Sequence, residues 1–428
     1  IVENDLAIIA VVGESMKNYQ GLSGQMFSAL GRNNVNVRAI AQGSSEKNIS
    51  AVINKTDAKK ALNTLHEQFF EEKTKQLNLF VTGVGNVGER FLAQLQQQKE
   101  FLKENLKLNI RVIGISNSRK MFFDTDGINL KSWKESLENG EPTTLENFHK
   151  KVKASNHINS VFIDNTANQQ VSEVYETYLR ESISVVTCNK IACASSFDNY
   201  KTLKQVSRKY NASFLFETNV GAGLPLIDTI RLLHESGENI TKIKGVFSGS
   251  LSYLFNTFSK ENKPFSEVLK DAIAQGFTEP DPREDLGGND VARKLLILAR
   301  ELELENEFVD TNIQNLIPDN LRGGTVTDFL SNLEAMNAEY QQIKEAQKEN
   351  YVLRYIGELS GDLSQDTGNL EVKLVSVSKA SPLGSLKGSD VIFEIYTESY
   401  GEQPIVIQGA GAGSKVTARG VFGDILRL

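Results

Sequence analysis

Cysteine is scarce in this chain. Cys188 and Cys193 are the only two in 428 residues, and neither has a histidine near it in sequence. That excludes a disulfide framework and a thiolate zinc site, and makes reduced thiols the expectation. Long apolar runs are absent too, none approaching the ~18 residues of a membrane-spanning helix. No charged-then-apolar leader precedes a small-residue cleavage site, so a cytoplasmic protein with no membrane partner is expected. Blocks of single-sign charge are also missing. The 47 basic and 54 acidic side chains leave a net charge of −7, spread along the chain. Binding nucleic acid through its phosphates would need a basic stripe, and there is none. Neither a fixed-period repeat nor a low-complexity tract occurs, which removes solenoids and propellers.

The composition that remains is ordinary for a globular protein, 40% apolar and 24% charged. The length suits roughly three domains. The chain opens at Ile1, inside an already patterned segment, so it is expected to be a piece of a longer polypeptide. In residues 1–72, Leu6–Val12 reads as a strand and Gly21–Leu30 as a helix closed by Gly31. Val35–Gln42 and Asn48–Ile53 read as strands, and Asp57–Phe70 as an amphipathic helix. The order β-α-β-β-α is one strand short of a ferredoxin-like sandwich. The charged stretch Glu71–Gln76 reads as a linker.

From Leu77 a strand, a glycine turn and a helix follow in that order. Further strands are predicted at Asn109–Ile115, Ser160–Asp164 and Ser184–Thr187, with a helix over 169–180. That alternation predicts an α/β, Rossmann-type doubly wound parallel sheet. Beyond about residue 213 the pattern mixes helices (Leu224–Leu233, Ser252–Phe258, Asp290–Leu302, Thr327–Ala346) with strands (Tyr351–Glu358, Leu370–Val377, Val391–Tyr396). This predicts a separate α+β unit.

The turn reads Gly83-Val84-Gly85-Asn86-Val87-Gly88. Its first glycine permits a tight turn, its second lets the backbone approach a pyrophosphate, and its third lets the helix pack on the sheet. The amides and dipole of the helix N-terminus then favour the diphosphate. An NAD site usually carries an acid after the second strand, yet none lies between Glu104 and Asp124. Asn117, Ser118, Arg119 and Lys120 stand there instead. A guanidinium suits a 2′-phosphate, so NADP is the expected cofactor, with NAD accepted and Arg119 the main contact.

In FTEPDPREDLGGNDVARKLLILAR (277–300) an acidic loop leads into a helix that Asn289 is placed to cap. Asp290 and Lys294 are one turn apart. Such a pair is usually a solvated salt bridge, but here Val291, Ile297 and Leu298 share its side, and Leu295, Leu296 and Ala299 complete an apolar helix. Charges on a core-facing surface need partners and often mark function. An ammonium beside a nicotinamide can stabilise charge on a carbonyl oxygen and protonate it.

From Leu77 onward the chain resembles the homoserine dehydrogenases. The segments that carry the likeness are VTGVGNVGERF, VVTCNKIA, ETNVGAGLPLIDTI, GVFSGSLSYLFNTF, GFTEPDPREDLGGNDVARK and GAGAGSKVTARGVFGDILR. Residues 1–72 resemble an ACT domain, a small amino-acid-sensing module, so the whole looks like the C-terminal part of a bifunctional aspartokinase/homoserine dehydrogenase. The resemblance implies NAD(P)-dependent interconversion of L-aspartate 4-semialdehyde and L-homoserine, with Lys294 as catalytic lysine, Asp290 as its carboxylate partner and Lys190 as a second active-site lysine. It also implies substrate contacts at Glu279, Asp285, Gly249 and Ser250, with Thr166 and Asn189 in the cofactor crevice. A monovalent cation such as sodium is implied on main-chain carbonyls at Glu217, Val220, Ala222 and Leu224. Three domains follow: an ACT-like 1–72, a dinucleotide-binding 77–215 rejoined by 402–428, and a catalytic and dimerisation domain 216–401. Threonine is the implied effector, a homo-oligomer the implied assembly. Phe277 departs from the tyrosine usual there, and Glu284 from a common aspartate.

Two rivals remain at this point. A thiolate-dependent semialdehyde dehydrogenase would need Cys188 or Cys193 activated, and neither has a base in view. A non-catalytic regulatory protein could bind dinucleotide and amino acid without turnover.

Overall fold

A computed structural model describes residues 3–14, 16, 20–42, 47–70 and 74–428. The chain divides into two compact units: 1–189 with 201–215 and 425–428, and 190–200 with 216–424.

The first unit begins with β1 (Leu6–Val12), a helix α1 (Leu22–Arg32), β2 (Val37–Gln42), β3 (Asn48–Asn54) and α2 (Ala58–Phe69). The strands form an antiparallel sheet in the order β1-β3-β2. Alternation in β3 sends Ile49, Ala51 and Ile53 to one face, where they meet Met26 and Leu30 of α1 and Ala61 and Leu65 of α2. Burying each of the larger side chains stabilises the fold by about 1.5–3 kcal/mol. Of the expected linker, residues 71–73 lie outside the described residues, and Lys75 and Gln76 open the next strand instead.

That strand, β4 (Lys75–Thr82), is followed by α3 (Asn86–Asn105), β5 (Leu108–Ser116), β6 (Lys120–Phe123), β7 (Glu141–Pro142), β8 (Ser160–Asp164), β9 (Ser184–Thr187) and β10 (Phe214–Leu215). The sheet order is β10-β9-β8-β4-β5-β6-β7. Its pairs are parallel from β10 to β5 and antiparallel at β6 and β7. β4 from Leu77 onward and the whole of β8 are buried on both faces, as central parallel strands are, with Asn78 the one polar residue inside the apolar stretch of β4. Strand order reverses between β4 and β8, the kind of switch point where open α/β sheets take ligands.

The second unit carries β11 (Ile240–Val246), β12 (Thr311–Ile313), β13 (Tyr351–Ser360), β14 (Asn369–Ser378), β15 (Asp390–Thr397) and β16 (Ile405–Ala410), in the order β12-β14-β13-β11-β15-β16. Three differences from the sequence expectation appear here. β16 pairs antiparallel with β15, from Asp390↔Ala410 to Ile395↔Ile405, so 402–428 does not return to the first unit as a block; only 425–428 group with it. The alternating apolar face of Ile405 and Ile407 is satisfied by an edge position on this sheet. The helix expected over 327–346 is broken into Val326–Ser331, a 3₁₀ turn Leu333–Met336 and Asn337–Glu345. The Asn332 side-chain amide donates to the Asp328 carbonyl at 2.8 Å, a local bond that competes with helix continuation. Finally, Gly288 (φ 77°), not Asn289, caps the helix Asn289–Glu301, with no side-chain cap bond. Among the described residues no helix is long and apolar enough to cross a membrane.

Candidate active site

In the first unit the chain leaves β4 at Gly83, whose φ of +87° is left-handed. A Cβ there would stand 2.7 Å from the Thr166 methyl, and one on Gly88 would overlap the Gly83 carbonyl oxygen. Helix α3 therefore packs against the turn only because both side chains are missing. At Gly85 a Cβ would point into open space, with nothing within 4 Å. Gly85 is the N-cap residue, and Asn86 and Val87 begin α3, whose first amides have no intrahelical acceptor. The turn thus offers donors beside free space.

β5 ends at Ser116, and the Asn117 carboxamide oxygen accepts the backbone N–H of Arg119 and of Lys120, both at 2.8 Å. Gly85, Asn117, Arg119, Lys120, Trp133 and Lys134 line a cavity of about 500 Å³. Lys134 is paired with Glu89 at 2.7 Å, and Lys120 donates to the Glu138 carbonyl. Arg119 makes no ion pair among the described residues.

Thr166 and Asn189 meet through a residue the sequence does not single out. Asp164, at the end of β8, is fully buried. Its carboxylate accepts the Tyr175 hydroxyl at 2.5 Å, the Thr166 N–H at 2.7 Å and the Asn189 side-chain amide at 3.0 Å. Burial raises its pKa against these donors.

In the second unit the helix Asn289–Glu301 brings Asp290 and Lys294 onto one face. Lys294 Nζ lies 2.8 Å from Asp290 Oδ2 and donates to the Phe247 carbonyl at 2.9 Å. Lys190 Nζ lies 2.6 Å from Asp290 Oδ1. Only 12% of the Lys294 side chain is exposed, against 41% for Asp290. The pair is thus half sunk: the amine is covered, the carboxylate partly wet. Burial lowers the Lys294 pKa, Asp290 opposes, and Lys190 adds to the lowering. For Asp290, burial pushes upward, but the two ammonium groups win and hold it below the usual carboxylate range.

Asp285 stands near by, its carboxylate accepting the backbone N–H of Glu279 at 2.8 Å, with the Ser250 side chain close enough to favour its ionised form. Burial raises its pKa, with Glu279 and Asp290 adding repulsion. The Glu279 residue itself is exposed. Gly249 and Ser250 are the first residues of the helix Gly249–Lys260, and Ser248 caps it by accepting the Leu251 N–H. Phe277 stacks on Tyr253 with ring centroids 4.1 Å apart.

Among the residues expected to hold a cation, Glu217 lies in a short 3₁₀ turn, and its side chain accepts the N–H groups of Ile227 and Asp228, each at 2.8 Å. Burial, with Asp228 and Asp424 near, pushes its carboxyl up to about 7. Val220 and Ala222 flank Gly221 (φ 77°), Ala222 itself being left-handed at φ 54°, and the Leu224 carbonyl accepts the Leu226 N–H. No cluster of three or more His, Cys, Asp or Glu suited to a metal occurs among the described residues.

Comparison with known proteins matches 9–69 to an ACT domain, 83–217 to the NAD binding domain of homoserine dehydrogenase, and 225–426 to homoserine dehydrogenase. The chain is 42% identical over 426 residues to the chloroplastic bifunctional aspartokinase/homoserine dehydrogenase 1 of Arabidopsis thaliana, covering 99% of this chain and 46% of that protein. It is 35% identical over 361 residues to the homoserine dehydrogenase of Schizosaccharomyces pombe, covering 82% of this chain and 95% of that protein. A crystal structure of a Candida auris protein of unknown function superposes with a TM-score of 0.74 at 33% identity, over 82% of this chain and 98% of that one. The chain spans about half the length of the bifunctional relatives it matches.

Proposed function

The chain belongs to the homoserine dehydrogenase family, and from that membership we propose that it catalyses the reversible, NADPH-dependent reduction of L-aspartate 4-semialdehyde to L-homoserine, a step toward threonine, methionine and isoleucine. The observation that carries the reading is the Asp290 carboxylate with an ammonium on each oxygen, one of them the covered Lys294.

The glycine turn fits a dinucleotide, since Gly85 leaves room where a side chain would stand and the first amides of α3 are unmatched. A reduced nicotinamide bound by this unit would supply a hydride to the aldehyde carbon. As that carbon gains the hydride, its oxygen becomes an alkoxide, and Lys294 gives it a proton; in the reverse direction the neutral amine takes the proton back. Asp290 stays ionised throughout and keeps both lysines in place. The first amides of the helix Gly249–Lys260, at Gly249 and Ser250, suit the substrate carboxylate. Asp285 and Glu279 suit its ammonium group.

Arg119 and Lys120 on the cavity beside Gly85, with no acid at the end of β5, support a preference for NADP over NAD. The consecutive left-handed residues Gly221 and Ala222 support a tight carbonyl-lined turn for a sodium-like cation at Glu217, Val220, Ala222 and Leu224. The ACT segment supports control by an amino acid such as threonine. We further propose a cytoplasmic homodimer joined through the second unit's sheet, and aspartate kinase activity in the parent protein, as the names of the bifunctional relatives imply.

The test is a spectrophotometric assay with homoserine and each cofactor in turn, with Lys294→Ala as control. Turnover that survives the substitution would remove the mechanism. Tight cofactor binding without turnover would leave the non-catalytic regulatory reading.

A further inference from the structure

Lys190 sits at the head of a single helical turn, Ile191–Ala194. A helix of four residues does not hold itself, because its nucleation cost is not repaid by propagation. Its last carbonyls also lack intrahelical donors. Yet the lysine at its head is held within 2.6 Å of Asp290. Something must fix the turn.

Arg300 does so. It donates through Nη1 to the Cys193 carbonyl at 2.6 Å and through Nη2 to the Ser195 carbonyl. Nη2 also lies 3.3 Å from Glu307 Oε2, and Glu307 Oε1 in turn accepts the Phe197 N–H at 2.8 Å. The guanidinium carbon stands 5.8 Å from the centre of the Tyr200 ring, whose hydroxyl donates to Glu301 at 2.5 Å. The Arg300 side chain is wholly covered, and its Nε has no partner among the described residues. Packing alone does not explain such a residue, since an apolar side chain of similar volume would avoid the desolvation cost. Arg300 belongs to the same helix as Asp290 and Lys294, one at its last turn and the others in its first turns. The turn 191–194 packs against that helix.

Building on the proposed dehydrogenase function, we propose that Arg300 is a positioning residue: it clamps the carbonyls of Cys193 and Ser195 to the end of the helix Asn289–Glu301, and so holds Lys190 on Asp290 near the helix start. One rigid helix then carries the acid–base lysine, its carboxylate and the clamp for the second lysine.

Two variants separate this role from general packing. Arg300→Met removes both donors at similar length, and Arg300→Lys keeps the charge but can reach only one carbonyl well. With Arg300→Met, kcat for homoserine oxidation falls by about tenfold to a hundredfold, the scale of a small misplacement, while NADPH binding by fluorescence titration is unchanged. Arg300→Lys retains most of the activity.

Lys294 is faced by Asp290, Lys190, Asp285 and the Phe247 carbonyl. Moving the Lys190 charge away therefore shifts the alkaline rise of kcat to higher pH, in the same direction as Lys190→Met. In a Lys190→Met background, Arg300→Met adds no further shift. A full additional shift, or a lowered melting temperature with kcat and the pH profile unmoved, overturns the clamp.

A second measurement does not depend on activity. Reductive methylation of Lys190, followed by mass spectrometry, is faster in Arg300→Met than in the unsubstituted protein and intermediate in Arg300→Lys. Unchanged labelling overturns the inference; faster labelling in a protein that never oxidises homoserine overturns the proposed function and leaves the clamp standing.

Discussion

Lys190 and Asp290 lie 100 positions apart in sequence, yet the ammonium of one donates to the carboxylate of the other at 2.6 Å. Because Lys294 takes the second oxygen of that carboxylate, two positive charges share one negative charge. The surplus positive charge, together with the cover over Lys294, favours release of a proton from this lysine. It also stabilises an oxyanion placed against it.

Removal of the covered amine should cost chemistry rather than binding. With Lys294→Ala, kcat in either direction falls by about 10²–10⁴-fold, the usual share of a positioned acid–base group, and the dissociation constant for NADPH stays within about twofold. Steady-state kinetics with a parallel fluorescence titration decides the matter.

The pH dependence has a definite sign. In the proposed mechanism oxidation of the alcohol needs Lys294 neutral, and burial lowers its pKa below the ordinary 10.5. The oxidation rate therefore rises with pH and levels off before an exposed lysine would titrate, while aldehyde reduction falls over the same range. A kcat that stays flat in both directions between about pH 7 and 10 would remove Lys294 from the proton transfer.

The proposed preference for NADP rests chiefly on Arg119. Arg119→Ala raises KM for NADPH by about 10- to 100-fold, the scale of one charge-assisted contact to phosphate, and leaves KM for NADH nearly unchanged. Equal effects on the two cofactors would break the link to the 2′-phosphate.

Acid sensitivity of the first unit is expected from His157. Burial first, then the nearby charges of Arg111 and Lys59, lower its pKa from 6.5 to about 4. Its Nε2 is enclosed with no partner among the described residues. A depressed folded value means that the stabilising contribution is present above about 6.5 and is lost as pH falls through about 4, because the unfolded chain takes up the proton first. Urea titrations from pH 7 to pH 4 check it, and His157→Gln should flatten that part of the profile.

Local pattern made the central strands and the helix Asn289–Glu301 legible. Ser160–Asp164 and Ser184–Thr187 have the bounds their sequence indicates, since each is an apolar stretch closed by a polar residue at either end. β11 is different. Lys242 and Lys244 interrupt Ile240–Val246, and only its pairing between β13 and β15 makes it a strand. The Asp290–Lys294 pair follows from helical spacing, whereas the contact of Asp290 with Lys190 is a product of tertiary folding that no spacing encodes. Asp164 reads as one more strand end, and the hydrogen bonds to Tyr175 and Asn189 that give it importance come from distant sequence. Arg300 did leave a signal: it closes a run from Leu295 to Ala299 that is buried throughout, so a charge there had to find partners inside.

The two units interleave along the chain, with boundaries at 189/190, 200/201, 215/216 and 424/425. No single cut can separate them into complete halves. A protease nick at any of those boundaries would release a product missing part of one unit, and removing 425–428 would take the last segment from the first unit. Engineers wishing to transplant the dinucleotide-binding half into another enzyme would have to move three segments together.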